Sequence, residues 1–164
     1  MKAQISFVEY LIAFTAFITF VAYIFFRLSN FVPYYLEEIK DETVRSEAYQ
    51  ISELLINDPG EPKDWTVGNV KRVGLSDQTI DKTNFLSAQK MAALKTMCDG
   101  GGYDEFKDSI GTDYQFSLLI SDKTGANPTV DCYPSEIIPR KIKVSIRRIV
   151  AFDSGYGESI LQVW

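Results

Sequence analysis

The residue types that carry most enzymatic chemistry are thin in this chain of 164 residues, which holds no His and only two Cys, Cys98 and Cys132. Without imidazole there is no Ser–His–Asp triad, no His-ligated haem or zinc, and no imidazole pH switch. Two thiolates alone cannot complete a four-thiolate zinc or iron–sulfur site, so no metal or cofactor is expected. The Ser, Cys and Asp nucleophiles have no evident base partner. Gly100-Gly101-Gly102 lacks the Lys-Ser/Thr and the preceding strand of a phosphate-binding loop. Asp104 and Asp108 share a helix face, but surface acids of this kind are ordinarily just solvated. The expectation is a protein that is not an enzyme.

Three other features carry chemistry of binding and assembly. Glu9 is a carboxylate set inside an apolar N-terminal stretch, and from Tyr10 to Phe26 there follow 17 residues without a charge. An acidic side chain at the centre of a membrane helix costs roughly 2.5–3.5 kcal/mol. Glu9 therefore reads either as an interfacial group without a role or as one that meets a cation, such as the free N-terminal ammonium of a neighbouring copy. Cys98 and Cys132 are 34 positions apart and read either as a disulfide, if they lie outside the membrane, or as two separate buried thiols. Arg140, Lys141, Lys143, Arg147 and Arg148 form a basic run. Its readings are a solvated strand face or contact with the acidic helix segment 37–53 of the same or an adjacent subunit. With 17 Lys+Arg against 22 Asp+Glu and a pI of about 4.8, a nucleic-acid partner is not expected.

The elements that must hold these groups follow from the patterning. About 20 apolar residues span a bilayer as a helix, and residues 10–26 contain no Pro or Gly to break one. The run is longer than the core of a cleavable secretory signal and is followed by Arg27-Leu28-Ser29-Asn30 in place of small residues. One Lys before the helix and Arg27 after it nearly balance, so charge sets orientation only weakly. Phe7, Tyr10, Phe14, Phe17, Val21, Ile24, Leu28 and Phe31 recur at steps of three and four, a heptad-like seam. Thr15, Thr19 and Ala22 form a second stripe of small side chains. Pro33 predicts a kink or short break near Ser29. Beyond it, Leu36, Ile39, Val44, Ala48, Ile51 and Leu55 mark the buried face of an amphipathic helix that stops at Asn57-Asp58-Pro59-Gly60. One bent helix over residues 4–56 would be about 80 Å long.

The remainder reads as a small α+β head. Val67–Val73 is a weak strand. Ser87 caps a helix from about Ala88 to Cys98, with Ala88, Met91, Leu94 and Cys98 on one face. Tyr103–Ile110 is a short helix stopped by Gly111. Tyr114, Phe116, Leu118 and Ile120 alternate with polar residues, as do Ile142, Val144 and Ile146, and a third strand runs from Ser159 to Trp164. The predicted fold class is α+β, a long bent N-terminal helix with a small antiparallel sheet and one or two short helices.

The N-terminal residues Lys2-Ala3-Gln4-Ile5-Ser6-Phe7-Val8-Glu9-Tyr10-Leu11, ahead of an apolar helix, resemble the class III signal peptide of archaeal type IV pilin-like proteins. The family pattern is a short basic leader, then Gln-x-Ser-x-Glu, then the helix. By this resemblance Lys2 is the basic residue of the leader, and a prepilin peptidase cuts between Ala3 and Gln4. Glu9 stands three residues after Ser6 where the family has two; a cut between Gln4 and Ile5 restores its usual place in the mature chain. The stretch from Leu54 to Trp65, with Val73-Gly74-Leu75, also looks like stretches of archaeal membrane-anchored pilin-like proteins, although a Pro/Gly loop pinned by a buried Trp65 explains it equally. The resemblance implies residues 1–3 as leader, 4–32 as transmembrane and assembly helix, and 33–164 as an extracytoplasmic head that includes the amphipathic half of the helix. It implies a type IV pilus-like surface filament, assembled from copies or related subunits through Glu9, Phe7, Tyr10, Phe14 and Phe17. The alternative is a permanently anchored extracellular binding or adhesion domain that never polymerises.

Overall fold

The computed structural model describes residues 2–77, 82–134 and 144–164, with side chains from Phe7 onward. Its elements are α1 (Lys2–Asn57), α2 (Ala88–Asp99), α3 (Tyr103–Ile110), β1 (Phe116–Asp122), β2 (Val130–Cys132), β3 (Val144–Phe152) and β4 (Gly155–Val163). The fold is α+β: a long N-terminal helix, two short helices and a four-stranded antiparallel sheet in the order β2-β1-β4-β3. By its contacts the chain divides into two compact units, Met1–Glu42 and Thr43–Trp164.

Within the first unit the helix is unbroken. Pro33 lies inside α1, so the expected short break does not occur. Proline removes one hydrogen bond from the ladder, and the helix continues past that single missing bond. Leu36 and Ile39, expected on the buried face, are exposed; the buried stripe begins at Val44.

The second unit builds its core around that stripe. Val44, Ala48, Ile51, Leu55 and Ile56 of α1 join Met91, Leu94 and Met97 of α2 and Tyr103 and Phe106 of α3 in one apolar cluster. The inward residues of the sheet complete it: Phe116, Leu118 and Ile120 of β1, Val130 and Cys132 of β2, Val150 and Phe152 of β3, and Leu161 and Val163 of β4. The α2 face is rotated from expectation. Ala88 is exposed, while Lys90 and Met97 are buried. Ser87 is the N-cap residue, but its side chain makes no capping bond. Helix α3 spans Tyr103–Ile110, and Gly111 closes it with the positive φ of 76° that glycine adopts without strain.

No strand forms over Val67–Val73. Asn69 Oδ1 accepts the Thr66 backbone N–H at 2.6 Å and folds that stretch into a turn, leaving one isolated bridge between Glu61 and Arg72. Trp65 is buried, and its indole N–H donates to the Gly74 carbonyl at 2.7 Å. Strand β1 starts at Phe116, so Tyr114 stands outside it; β2 has no counterpart in the sequence pattern; β4 starts at Gly155, four residues before the expected Ser159. Ile142, the first residue of the expected second strand, lies outside the described residues.

Asp122 at the end of β1 organises the opposite end of the sheet. One carboxylate oxygen accepts the Thr124 N–H and hydroxyl at 2.8 and 2.7 Å. The other accepts the Asn127 N–H and amide at 2.9 and 2.8 Å and the Ser154 hydroxyl at 3.1 Å. The β1–β2 loop is thereby tied to the β3–β4 turn. Led by the Thr124 hydroxyl, these bonds hold the carboxyl well below the usual carboxylate range against an opposing desolvation effect.

Two expectations follow. A Cβ on Gly74 would overlap the Asp58 carbonyl oxygen and the Gly60 nitrogen, both backbone, whereas one on Gly68 meets nothing within 4 Å. Gly74→Ala is expected to destabilise the protein by about 1–3 kcal/mol, and Gly68→Ala by less than about 0.5 kcal/mol, in denaturant melts of the full chain. Because folding lowers the Asp122 pKa, its contribution is complete above the ordinary carboxylate range and is lost as the pH falls below it. Asp122→Asn should therefore melt earlier than the native protein at pH 7, and the gap should narrow progressively as the pH is lowered from about 4 to about 2.

Candidate functional site

The part of the molecule that most needs a cover from outside is the first stretch of α1. Phe7, Tyr10, Phe14 and Phe17 are each more than half exposed, and so are Leu11, Ile12, Phe20, Phe25 and Phe26 on other sides of the helix. The heptad-like seam is therefore not a distinct buried face within the chain; apolar side chains surround the segment. Covering about twenty such residues at about 1.5–3 kcal/mol each amounts to tens of kcal/mol. Among the described residues this is one helix long and apolar enough to cross a membrane, with a mean hydropathy of 2.1 in its most apolar window and none of that window buried.

The polar groups in the segment are handled locally. Thr15 Oγ1 donates to the Leu11 carbonyl and Thr19 Oγ1 to the Thr15 carbonyl, both at 2.8 Å, so neither hydroxyl needs water. Arg27 donates from Nε to the Tyr23 hydroxyl at 3.1 Å and lies over the Tyr23 ring. Tyr10 stacks on Phe14, and Tyr34 and Tyr35 meet edge to face farther along. From Tyr10 to Tyr34 the helix rises about 36 Å, slightly more than the ~30 Å hydrocarbon core. Tyrosines at such a separation suit the two interfaces of a bilayer. Thr15, Ala16 and Thr19, between Leu11, Ile12, Phe20 and Tyr23, floor a shallow groove of about 670 Å³ where another surface can approach the backbone.

Glu9 is exposed, and among the described residues it forms no ion pair or hydrogen bond. Ala3 and Gln4, the expected processing site, lie within α1, but their side chains are outside the described residues.

The other sequence-predicted residues fall in the second unit. Cys98 at the end of α2 and Cys132 in β2 are joined by a disulfide, with Cα atoms 5.2 Å apart. A loop of that length contributes about 3–4 kcal/mol in the chain-entropy description. The basic run divides by face. Arg148 turns inward, pairs with Glu53 at 2.6 Å and lies over the Tyr49 ring at 4.8 Å. The Asn57 amide and then Arg148 hold the Glu53 carboxyl below its usual range. Arg148 thus meets the acidic helix segment of its own chain. Arg147 turns outward to Glu158 at 2.9 Å. Arg140, Lys141 and Lys143 lie outside the described residues.

Two groups escaped the sequence reading. Asp122 was visible in principle, since Asp-x-Thr-Gly-x-Asn is a run of turn-forming residues. Lys90 was visible as the residue one turn before Leu94 on the buried face. Its ammonium donates to the Pro59 and Ser76 carbonyls at 2.7 and 2.8 Å, and burial pushes its pKa down. It borders a depression of about 600 Å³ with Lys63, Asp64, Trp65, Asp77 and Ser87. Its bonds to two loop carbonyls identify it as a tether of the fold. Among the described residues no cluster of three or more Cys, Asp or Glu is placed to hold a metal ion.

No protein-family model, curated protein or solved structure matches this chain. The site is defined by its own chemistry: an apolar helical surface with a single carboxylate near its start.

A charge in the middle of the apolar run tests that surface. Phe17→Arg is expected to cost about 2.5–3.5 kcal/mol of insertion, roughly a hundredfold in partitioning. The fraction of full-length protein resisting alkaline extraction from membranes should fall accordingly, while Glu47→Arg, outside the run, should leave it unchanged.

Proposed function

We propose that this chain is a structural subunit, major or minor, of an archaeal type IV pilus-like surface filament, inserted in the membrane and then assembled through its N-terminal helix. The observation that carries the proposal is the helical segment exposed on all sides, with one carboxylate near its start and no intrachain partner for it among the described residues. Such a surface is soluble in lipid before assembly, and against other copies it stays covered afterwards. Once removed from lipid contact, Glu9 must be paired or neutral. The N-terminal ammonium of an adjacent subunit pairs it and fixes the axial register between copies. A prepilin peptidase creates that ammonium by removing residues 1–3, or 1–4. The Cys98–Cys132 disulfide supports a position of the second unit outside the reducing cytoplasm.

Intact-mass measurement on membrane-extracted protein tests this reading. The expected species lacks the leader and begins at Gln4 or Ile5. Retention of Met1 in all molecules would overturn it in favour of a permanently anchored extracellular domain. In the same cells, Glu9→Gln is expected to leave membrane insertion intact and to reduce surface filaments to background.

A further inference from the structure

The sheet of the second unit ends on two edges that complement each other. Its order is β2-β1-β4-β3, and all pairs are antiparallel. With four strands, the two edge strands run in opposite directions. A second copy brought up by translation therefore places its β2 antiparallel to β3 of the first, and the alternation continues across the junction.

The edge groups are identifiable by parity. Ala151 turns its amide and carbonyl away from β4, toward Asn84 and Leu86 at 2.8 and 2.9 Å. Residues alternate along a strand, so Ser145, Arg147 and Ile149 also point their backbone groups to the outside. Among the described residues nothing pairs with these three. Following the register across the sheet, Val130 and Cys132 face β1 and Asp131 faces out. The uncovered part of β3 and the three-residue β2 are thus short segments of matched reach.

Charge selects between the possible unions. One row runs Asp131–Leu119–Ile160–Arg147 across the exposed face of the sheet. Pairing β3 with β3 sets Arg147 near Arg147, and pairing β2 with β2 sets Asp131 near Asp131, both repulsive. Pairing β3 with β2 of the next copy sets Arg147 beside Asp131. Arg147 already contacts Glu158, but its side chain is 70% exposed and keeps donors for a second carboxylate. Among the described residues Asp131 forms no ion pair.

We infer that β3 of one copy pairs edge to edge with β2 of the next, with Arg147 opposite Asp131, giving a head-to-tail sheet that advances about 19 Å per copy. This deepens the filament reading by adding a second contact between copies, and it rests on that reading only for holding the copies at one surface.

The test uses full-length protein in native membranes with a zero-length carbodiimide coupler, which joins an amine to a carboxylate as an amide with loss of water. Within one chain, positions 131 and 147 are three strand spacings apart, about 14 Å, so a direct amide between them comes only from two copies. In Arg147→Lys, mass spectrometry is expected to find a peptide pair linked between the new amine at position 147 and the Asp131 carboxylate. It should fall at least tenfold when Ile149→Pro, which removes an outward N–H from the edge, is added. Arg147→Glu alone and Asp131→Lys alone, which leave no amine facing a carboxylate across the junction, should each give at least tenfold less 131–147 link than Arg147→Lys. The two exchanges together should recover the link, now between a lysine amine at position 131 and a glutamate carboxylate at position 147. Absence of a 131–147 link while other residues still couple between copies would overturn the inference, as would failure of the double exchange to rescue, or links from position 147 only to a different protein. The mature N-terminus and the Glu9→Gln effect are read on the same material. Processed filaments without the edge link sink only this inference; an edge link on chains that retain Met1 sinks only the filament reading.

Discussion

A helix satisfies its own backbone hydrogen bonds but not its side chains, and α1 has to satisfy its side chains in two different ways. Around residues 7–36 nearly every large side chain is apolar and exposed, so the cover must come from outside the chain. From Val44 to Ile56 one stripe is buried and the rest is polar, so the cover comes from the protein's own sheet and short helices. The threonine hydroxyls of the first stretch donate to the backbone carbonyls one turn earlier, and Arg27 rests on Tyr23. Glu9 is the one acidic side chain of that stretch. Among the described residues that carboxylate has no partner within the chain.

The second unit answers a different demand. It is small, and its stability is shared among devices that do not depend on the apolar segment. The disulfide fastens β2 to the end of α2. Lys90 ties α2 to two loops, Trp65 closes the loop after α1, and Asp122 gathers the far turns of the sheet. Arg148 uses the inner face of the sheet to meet Glu53 and Tyr49 on α1, while its neighbour Arg147 is turned to the outside. Adjacent residues on a strand thus face the core and the outside respectively, which is what the alternation of a half-covered sheet permits.

How much of this was legible depended on whether the signal was local. Tyr103–Ile110 was readable because Gly111 ends it, and Phe116, Leu118 and Ile120 because their alternation reports a half-buried strand. The apolar segment and Glu9 were readable from composition alone. Strand β2 was not, because Val-Asp-Cys is too short for a period to show. The start of β4 was masked by Gly155 and Gly157, which contribute no side chain to the pattern. Val67–Val73 has strand-like composition, but the Thr66–Asn69 bond prevails. The burial of Lys90 and the inward turn of Arg148 depend on partners 14 or more positions away, and no window along the chain contains them. The complementarity of Asp131 and Arg147 emerges only once strand order is known.

The central claim is that the first stretch of α1 is covered by lipid until copies of the chain replace it. A carbene-generating label carried in the acyl region of native membranes, followed by peptide mapping of the full-length protein, addresses it directly. The expected result is labelling confined to residues 7–31, on all sides of the helix, and weaker in isolated filaments than in the membrane pool. Labelling spread over residues 43–164, or none between Phe7 and Phe31 in the membrane pool, would contradict the account.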